Sequence, residues 1–160
     1  LDRGIRCFEF DFYTGLHSST SNFYMGHLRP GMEIITTSPN PNTFHLQPWL
    51  EMVDAWSNTH PNHLPLVIIF DLKDKIDGLK RDCSVEHLHR AVEDAFQGKL
   101  FEYEDLLRLR RTGACSATGW PPVRALLGRV VIVLSGDLMT RRSYVVDRGL
   151  HQAVAANKHG

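Results

Sequence analysis

Apolar and polar positions alternate in blocks that switch period along this chain. Ile5 to Tyr13 is aromatic and β-branched with a two-residue period, which predicts a strand. A shorter strand is expected over Asn22–Met25, and another over Met32–Thr37 before the turn-forming run Ser38-Pro39-Asn40-Pro41-Asn42. Leu46, Trp49, Leu50, Val53 and Trp56 then recur on one helical face, with Pro48 in the first turn and Pro61 as the stop. Leu64 to Phe70 is continuously apolar, as a strand buried on both faces reads. Ser84 is placed to cap a helix whose apolar stripe is Leu88, Ala91, Val92, Ala95 and Phe96. A helix over Val123–Leu127 and a buried strand over Val130–Leu134 follow.

Strands alternating with helices imply an α/β domain whose parallel strands are joined by helical crossovers. No internal repeat or low-complexity segment interrupts the pattern. The two tryptophans on the first helix are read as packing residues. Eighteen basic residues balance eighteen acidic ones, so no overall field selects nucleic acid or an anionic surface. No membrane span is predicted. The chain opens without an initiator Met directly before a strand, and residues upstream are expected to be missing.

The chemistry lies in where the acids fall. In a strand, Ile5, Cys7, Glu9 and Asp11 share one face and Phe8, Phe10 and Phe12 the other. Two carboxylates side by side on an otherwise apolar strand need a cation or strong donors to compensate them. Hard oxygen ligands suit Ca²⁺ or Mg²⁺. Val67, Ile69, Asp71 and Lys73 share a face of the third strand, with the acid at its carboxyl end, where parallel α/β folds gather ligands. Glu9, Asp11 and Asp71 are therefore expected to converge on a metal, with Lys73 nearby for an anionic group. The plainer reading of Asp71 and Lys73 is a surface ion pair at a solvated strand end.

Among the nine histidines, His27 follows a short strand across one glycine and is the candidate acid or base. His17 is a weaker candidate. His45, His60 and His63 read as solvated loop or cap residues, and His87 and His89 as exposed helix positions. Cys7 reads as a buried thiol, while Cys83 and Cys115 lie in polar stretches and would pair only in an exported protein. No zinc-type cysteine spacing, phosphate-binding glycine loop or serine-nucleophile elbow is present.

Gly4-Ile5-Arg6-Cys7-Phe8-Glu9-Phe10-Asp11, the later His27 and the acidic strand end at Asp71 together resemble the X region of phosphoinositide-specific phospholipase C. The nearest likeness is to the calcium-dependent bacterial branch. Trp56-Ser57-Asn58-Thr59-His60-Pro61 is similar to that branch's segment before its third strand, and Gly119-Trp120-Pro121 with Leu127-Gly128-Arg129-Val130-Val131 resembles its approach to the next. The resemblance implies a TIM-type (β/α) barrel phosphodiesterase, of which this chain is an incomplete portion forming one partial domain over residues 1–160.

It also implies Glu9, Asp11 and Asp71 as metal ligands, His27 as the second catalytic histidine and Lys73 as a phosphate contact. Ca²⁺ is the favoured cofactor, with Mg²⁺ the alternative. A phospholipid is the expected partner, met by peripheral contact with a membrane, and export is expected. The family's first histidine would lie upstream of Leu1, so the isolated chain is expected to be nearly inactive. Two rivals share the barrel: Phe70-Asp71-Leu72-Lys73 also resembles the strand of sphingomyelinase-D-like enzymes, and glycerophosphodiester phosphodiesterases carry the same E-x-D. A rival of another class is a catalytically inactive barrel kept as a binding module.

Overall fold

A computed structural model of the chain describes residues 1–14, 23–76 and 84–144. His17, Asn22 and Cys83 lie outside the described residues. Strands β1 (Cys7–Thr14), β2 (Phe23–Met25), β3 (Leu66–Leu72) and β4 (Val130–Gly136) form one sheet in the order β2-β1-β3-β4. The three long strands are parallel, with Cys7 opposite Val67, Asp11 opposite Asp71 and Leu72 opposite Gly136. Helix α1 (Leu46–Thr59) links β2 to β3, while α2 (Val85–Phe96), α3 (Tyr103–Arg111) and a 3₁₀ turn at Val123–Leu126 link β3 to β4. Residues 138–144 are helical again. No helix among the described residues is long and apolar enough to cross a membrane.

The core lies on one side of the sheet. Phe10 and Phe12 of β1 and Leu66, Ile68, Phe70 and Leu72 of β3 meet Leu46, Leu50 and Val53 of α1 and Leu88, Val92 and Phe96 of α2. Phe12 is fully enclosed, edge-on to Phe23 at 5.7 Å and to Phe70 at 5.3 Å between ring centres. Burying each such side chain contributes roughly 1.5–3 kcal/mol, so the aromatic row of β1 organises the whole layer. Trp49 is buried edge-on against Phe10, as expected of a packing residue. Trp56 is half-buried, with the Arg6 guanidinium 4.8 Å from its ring centre and its indole N–H donating to Asp2.

The opposite face of the sheet is more open. The expected burial of the third strand on both faces is corrected: Leu66, Ile68, Phe70 and Leu72 are buried, whereas Val67, Ile69 and Asp71 are only half-buried. Cys7 is exposed rather than buried, because it shares the uncovered face with Glu9 and Asp11. Gly136 ends β4 where a side chain has no room, since a Cβ there would lie 2.0 Å from the Leu72 carbonyl oxygen.

Three other expectations are corrected. β2 runs antiparallel to β1, which a three-residue strand close in sequence can do without a helical crossover. Met32–Thr37 is not a strand; Met32 N–H donates to the Arg29 carbonyl, Asn40 Nδ2 donates to that of Ile35, and the Ile35 side chain stands in solvent. His63 is buried rather than solvated: its ring shares one hydrogen bond with the Ser57 hydroxyl at 2.8 Å and donates the other to the Leu64 carbonyl at 2.6 Å.

The expected cap of α2 is present, with Ser84 Oγ accepting from the His87 N–H at 3.2 Å. Ser84→Ala removes that acceptor, and a urea titration is expected to read a loss of about 1 kcal/mol, typical of an N-cap serine.

Candidate active site

Parallel pairing of β1 with β3 sets Asp11 directly beside Asp71 near the strands' carboxyl ends. The two-residue period puts Glu9 on the same face, one step back along β1. One carboxylate oxygen from each of Glu9, Asp11 and Asp71 falls within 4.8 Å of the other two. Asp11 and Asp71 are about one-fifth exposed at 19% and 18%, and Glu9 opens to solvent. Three acids from two strands thus share one small volume.

Lys73, two residues beyond Asp71, folds back over this group. Its Nζ lies 3.0 Å from Asp11 Oδ1 and pairs closely with Asp71 Oδ2. Its backbone N–H donates to the Phe12 carbonyl at 2.9 Å, which fixes where the side chain starts. The bond to Asp71 holds the Lys73 ammonium above its usual range, helped by Asp11 and opposed by burial. One lysine cannot satisfy three carboxylates. Asp11 Oδ1 is buried and meets only the Lys73 ammonium among the described residues, which Asp71 also engages.

Glu9 shows the excess most clearly. Its hydrogen bond to Asp11 raises its carboxyl above the usual glutamate range, with burial and the charges of Asp11 and Asp71 adding to the rise and Lys73 opposing it. Three carboxylates gathered on one ammonium are what a hard cation would resolve, so the residues fit one.

A pH dependence follows. Native Glu9 holds its proton more tightly than unfolded Glu9 does. Raising the pH through the interval between the two values therefore erodes the stability of the metal-free fold. A cation must displace the same proton, so binding of a divalent cation is expected to weaken as pH falls through the raised native value, and calorimetric titrations at stepped pH would read this.

His27 reaches the group from the β2 side. Gly26 N–H donates to the Asp11 carbonyl at 2.9 Å, tying the turn to β1. A Cβ at Gly26 would lie 2.2 Å from the Arg29 carbonyl oxygen, so only glycine allows the chain to bend there. The His27 carbonyl accepts from the Tyr13 hydroxyl at 2.9 Å. In the ring, Nδ1 meets Glu33 Oε2 at 2.8 Å, which leaves Nε2 facing Asp11 Oδ2 at 3.8 Å.

The structure therefore brings Glu9, Asp11, Asp71, Lys73 and His27 to one rim of the sheet. Sequence reasoning missed Glu33 and Asp74. Glu33 reaches His27 only because the 26–33 turn closes and Glu33 itself adopts φ +58°. Asp74 accepts from the Thr14 N–H at 2.8 Å and the Thr14 hydroxyl at 2.6 Å, which locks the segment carrying Lys73 onto the end of β1. An acid just past Lys73 was visible in the sequence, but its partner lies sixty residues away. His89, expected to be exposed, is instead almost buried against Tyr144 and Glu93.

No protein-family model and no curated protein matches the chain. Solved structures do. The chain is similar to a calcium-dependent phosphoinositol-specific phospholipase C from a Gram-negative bacterium, Pseudomonas sp., in a myoinositol complex, with a TM-score of 0.71 and 25% identity over 91% of this chain and 53% of that one. It is also similar in fold to a Ca²⁺-dependent phosphatidylinositol-specific phospholipase C from Streptomyces antibioticus, with a TM-score of 0.67 and 18% identity over 83% of this chain and 45% of that one. The chain spans about half the length of each. Both are enzymes of the group that the sequence resembles.

Proposed function

We propose that this chain forms one side of the barrel of a calcium-dependent phospholipase C that cleaves the phosphodiester of a phosphatidylinositol-type lipid. The observation that carries the reading is the meeting of Glu9, Asp11 and Asp71 in one small volume, with the single ammonium of Lys73 between Asp11 and Asp71. The likeness to calcium-dependent enzymes favours Ca²⁺ over Mg²⁺.

In this reading Glu9, Asp11 and Asp71 hold the cation. When bound, it lowers the pKa of a substrate hydroxyl beside the phosphodiester and neutralises charge on the phosphoryl oxygens. Lys73 turns its ammonium from the acids to a phosphoryl oxygen. His27 keeps its Nδ1–H on Glu33 and, as imidazolium, donates the Nε2 proton to the leaving oxygen, while the substrate hydroxyl gives its own proton to solvent water and closes on phosphorus. The new P–O bond makes a cyclic phosphate, and the old one releases the lipid alcohol.

The test uses the gene product that contains this chain, with phosphatidylinositol, a glycerophosphodiester and sphingomyelin as separate substrates. Cyclic inositol phosphate, released with Ca²⁺ and abolished by chelation, is the expected product. Glycerol phosphate or choline would transfer the protein to one of the barrel's other activities. Intact calcium binding with no product from any substrate would make it a binding module.

A further inference from the structure

A second group of metal-binding side chains stands apart from the first. Ligand atoms of His89, Glu93 and Glu102 all lie within 4.8 Å of one another. Glu93 and Glu102 border a cavity of about 340 Å³, lined also by Gly98, Leu100, Asp105 and Arg129. Arg129 directly precedes β4, and Leu100 bridges to Val130, so this cavity opens at the amino ends of the strands, away from Asp11 and Asp71. We propose that His89, Glu93 and Glu102 form a zinc site.

Helix α2 supplies two of the three side chains. Residues four apart share a helical face, and His89 Nε2 lies 2.8 Å from Glu93 Oε1. Glu102 comes from a separate element, held at the start of α3 by a capping box in which its side chain accepts from the backbone while Asp105 returns the bond. Two carboxylates are thereby fixed near each other. Arg129, the cation lining the same cavity, is engaged by Asp105 at 2.7 Å and by the carbonyls of Lys99 and Leu100.

The Tyr144 hydroxyl meets His89 Nδ1 at 3.1 Å. Nε2 now holds a proton toward Glu93 Oε1; a cation taking that proton's place would leave the Nδ1 proton on the Tyr144 oxygen, the arrangement that outer-shell partners impose on metal-bound histidines. An imidazole that is almost buried, with two carboxylates, suits a borderline cation such as Zn²⁺ rather than Ca²⁺. Three protein ligands leave a fourth position on the cavity side for water.

The experiment titrates Zn²⁺ alone into the chain by calorimetry, with Co²⁺ absorption as a second readout. One equivalent is expected to bind, with cobalt bands of a low-coordinate nitrogen and oxygen site. His89→Gln and Glu102→Gln should each weaken uptake by at least about 10-fold, and Tyr144→Phe by about 10–100-fold, the range for loss of an outer-shell partner. The Glu9→Gln, Asp11→Asn double variant should bind Zn²⁺ as the parent does. Zinc uptake that is absent in the parent, unchanged in His89→Gln, or lost in the double variant would overturn the site. Should His89→Gln fail to fold by circular dichroism, Glu93→Gln, which alters a half-exposed carboxylate, decides in the same way.

Discussion

Asp11→Asn is expected to weaken calcium binding by about 100-fold or more, because charge count and ligand number set affinity over several decades in oxygen-ligand sites. Asp11 is the residue at which the rim's contacts converge. It sits beside Glu9 and Asp71, pairs with Lys73 at 3.0 Å through a buried oxygen and faces His27 at 3.8 Å. Asparagine keeps the volume, so the loss should appear without unfolding. Stability should change little, since the variant loses the pair with Lys73 but also sheds repulsion from Glu9 and Asp71. Glu9→Gln should have the smaller effect because its carboxylate faces solvent. Calorimetric Ca²⁺ titration, with a urea melt on the same sample, checks both halves. Equal affinity in parent and variant would remove the metal reading of this rim.

Phe12→Ala is expected to have the largest effect on the fold, about 3–5 kcal/mol, the range for emptying a buried aromatic position. Against a total stability of roughly 5–15 kcal/mol, that removes about a fifth of it at the least and nearly all of it at the most. Phe12 makes edge contacts with Phe23 and Phe70 and is wholly enclosed, so neighbouring rings cannot collapse into the gap without tilting β2 or β3. Ile5→Ala supplies the control: the side chain is about half exposed at 54% and should lose no more than about 0.5 kcal/mol. Thermal or urea melts that ranked the two alike would show that the aromatic row does not carry the core.

Much of this was legible because the periods are strong. The alternating acids and phenylalanines of β1, the apolar run of β3 and the helical stripes of α1 and α2 each specify an element and a face. The gathering of Glu9, Asp11 and Asp71 follows from strand parity and parallel pairing alone. What stayed hidden depended on long-range partners. α3 was missed because it buries only Leu106 and is held by its capping box and by the Asp105 pairs to Arg108 and Arg129. His63 and His89 looked solvated because histidine is polar, but Ser57 and Tyr144 supply the hydrogen bonds that make their burial tolerable. Cys7 looked buried because its neighbours are apolar, yet only the phenylalanine side of β1 meets helices. Met32–Thr37 had strand composition without a neighbouring strand to bond it.

β4 pairs along its whole length with β3 on one side. On the other side, among the described residues, only the segment around Leu100 meets it, at Val130. From Val131 onward the strand presents a flat, uncharged margin of Val131-Ile132-Val133-Leu134 whose backbone donors and acceptors point outward. Such a margin is a template, and any extended chain of similar character can dock on it. In a concentrated solution of these residues alone, the readiest guest is another copy, laid edge to edge. Self-association should then grow with concentration and recede when a lysine replaces Val133, whose side chain is already in solvent.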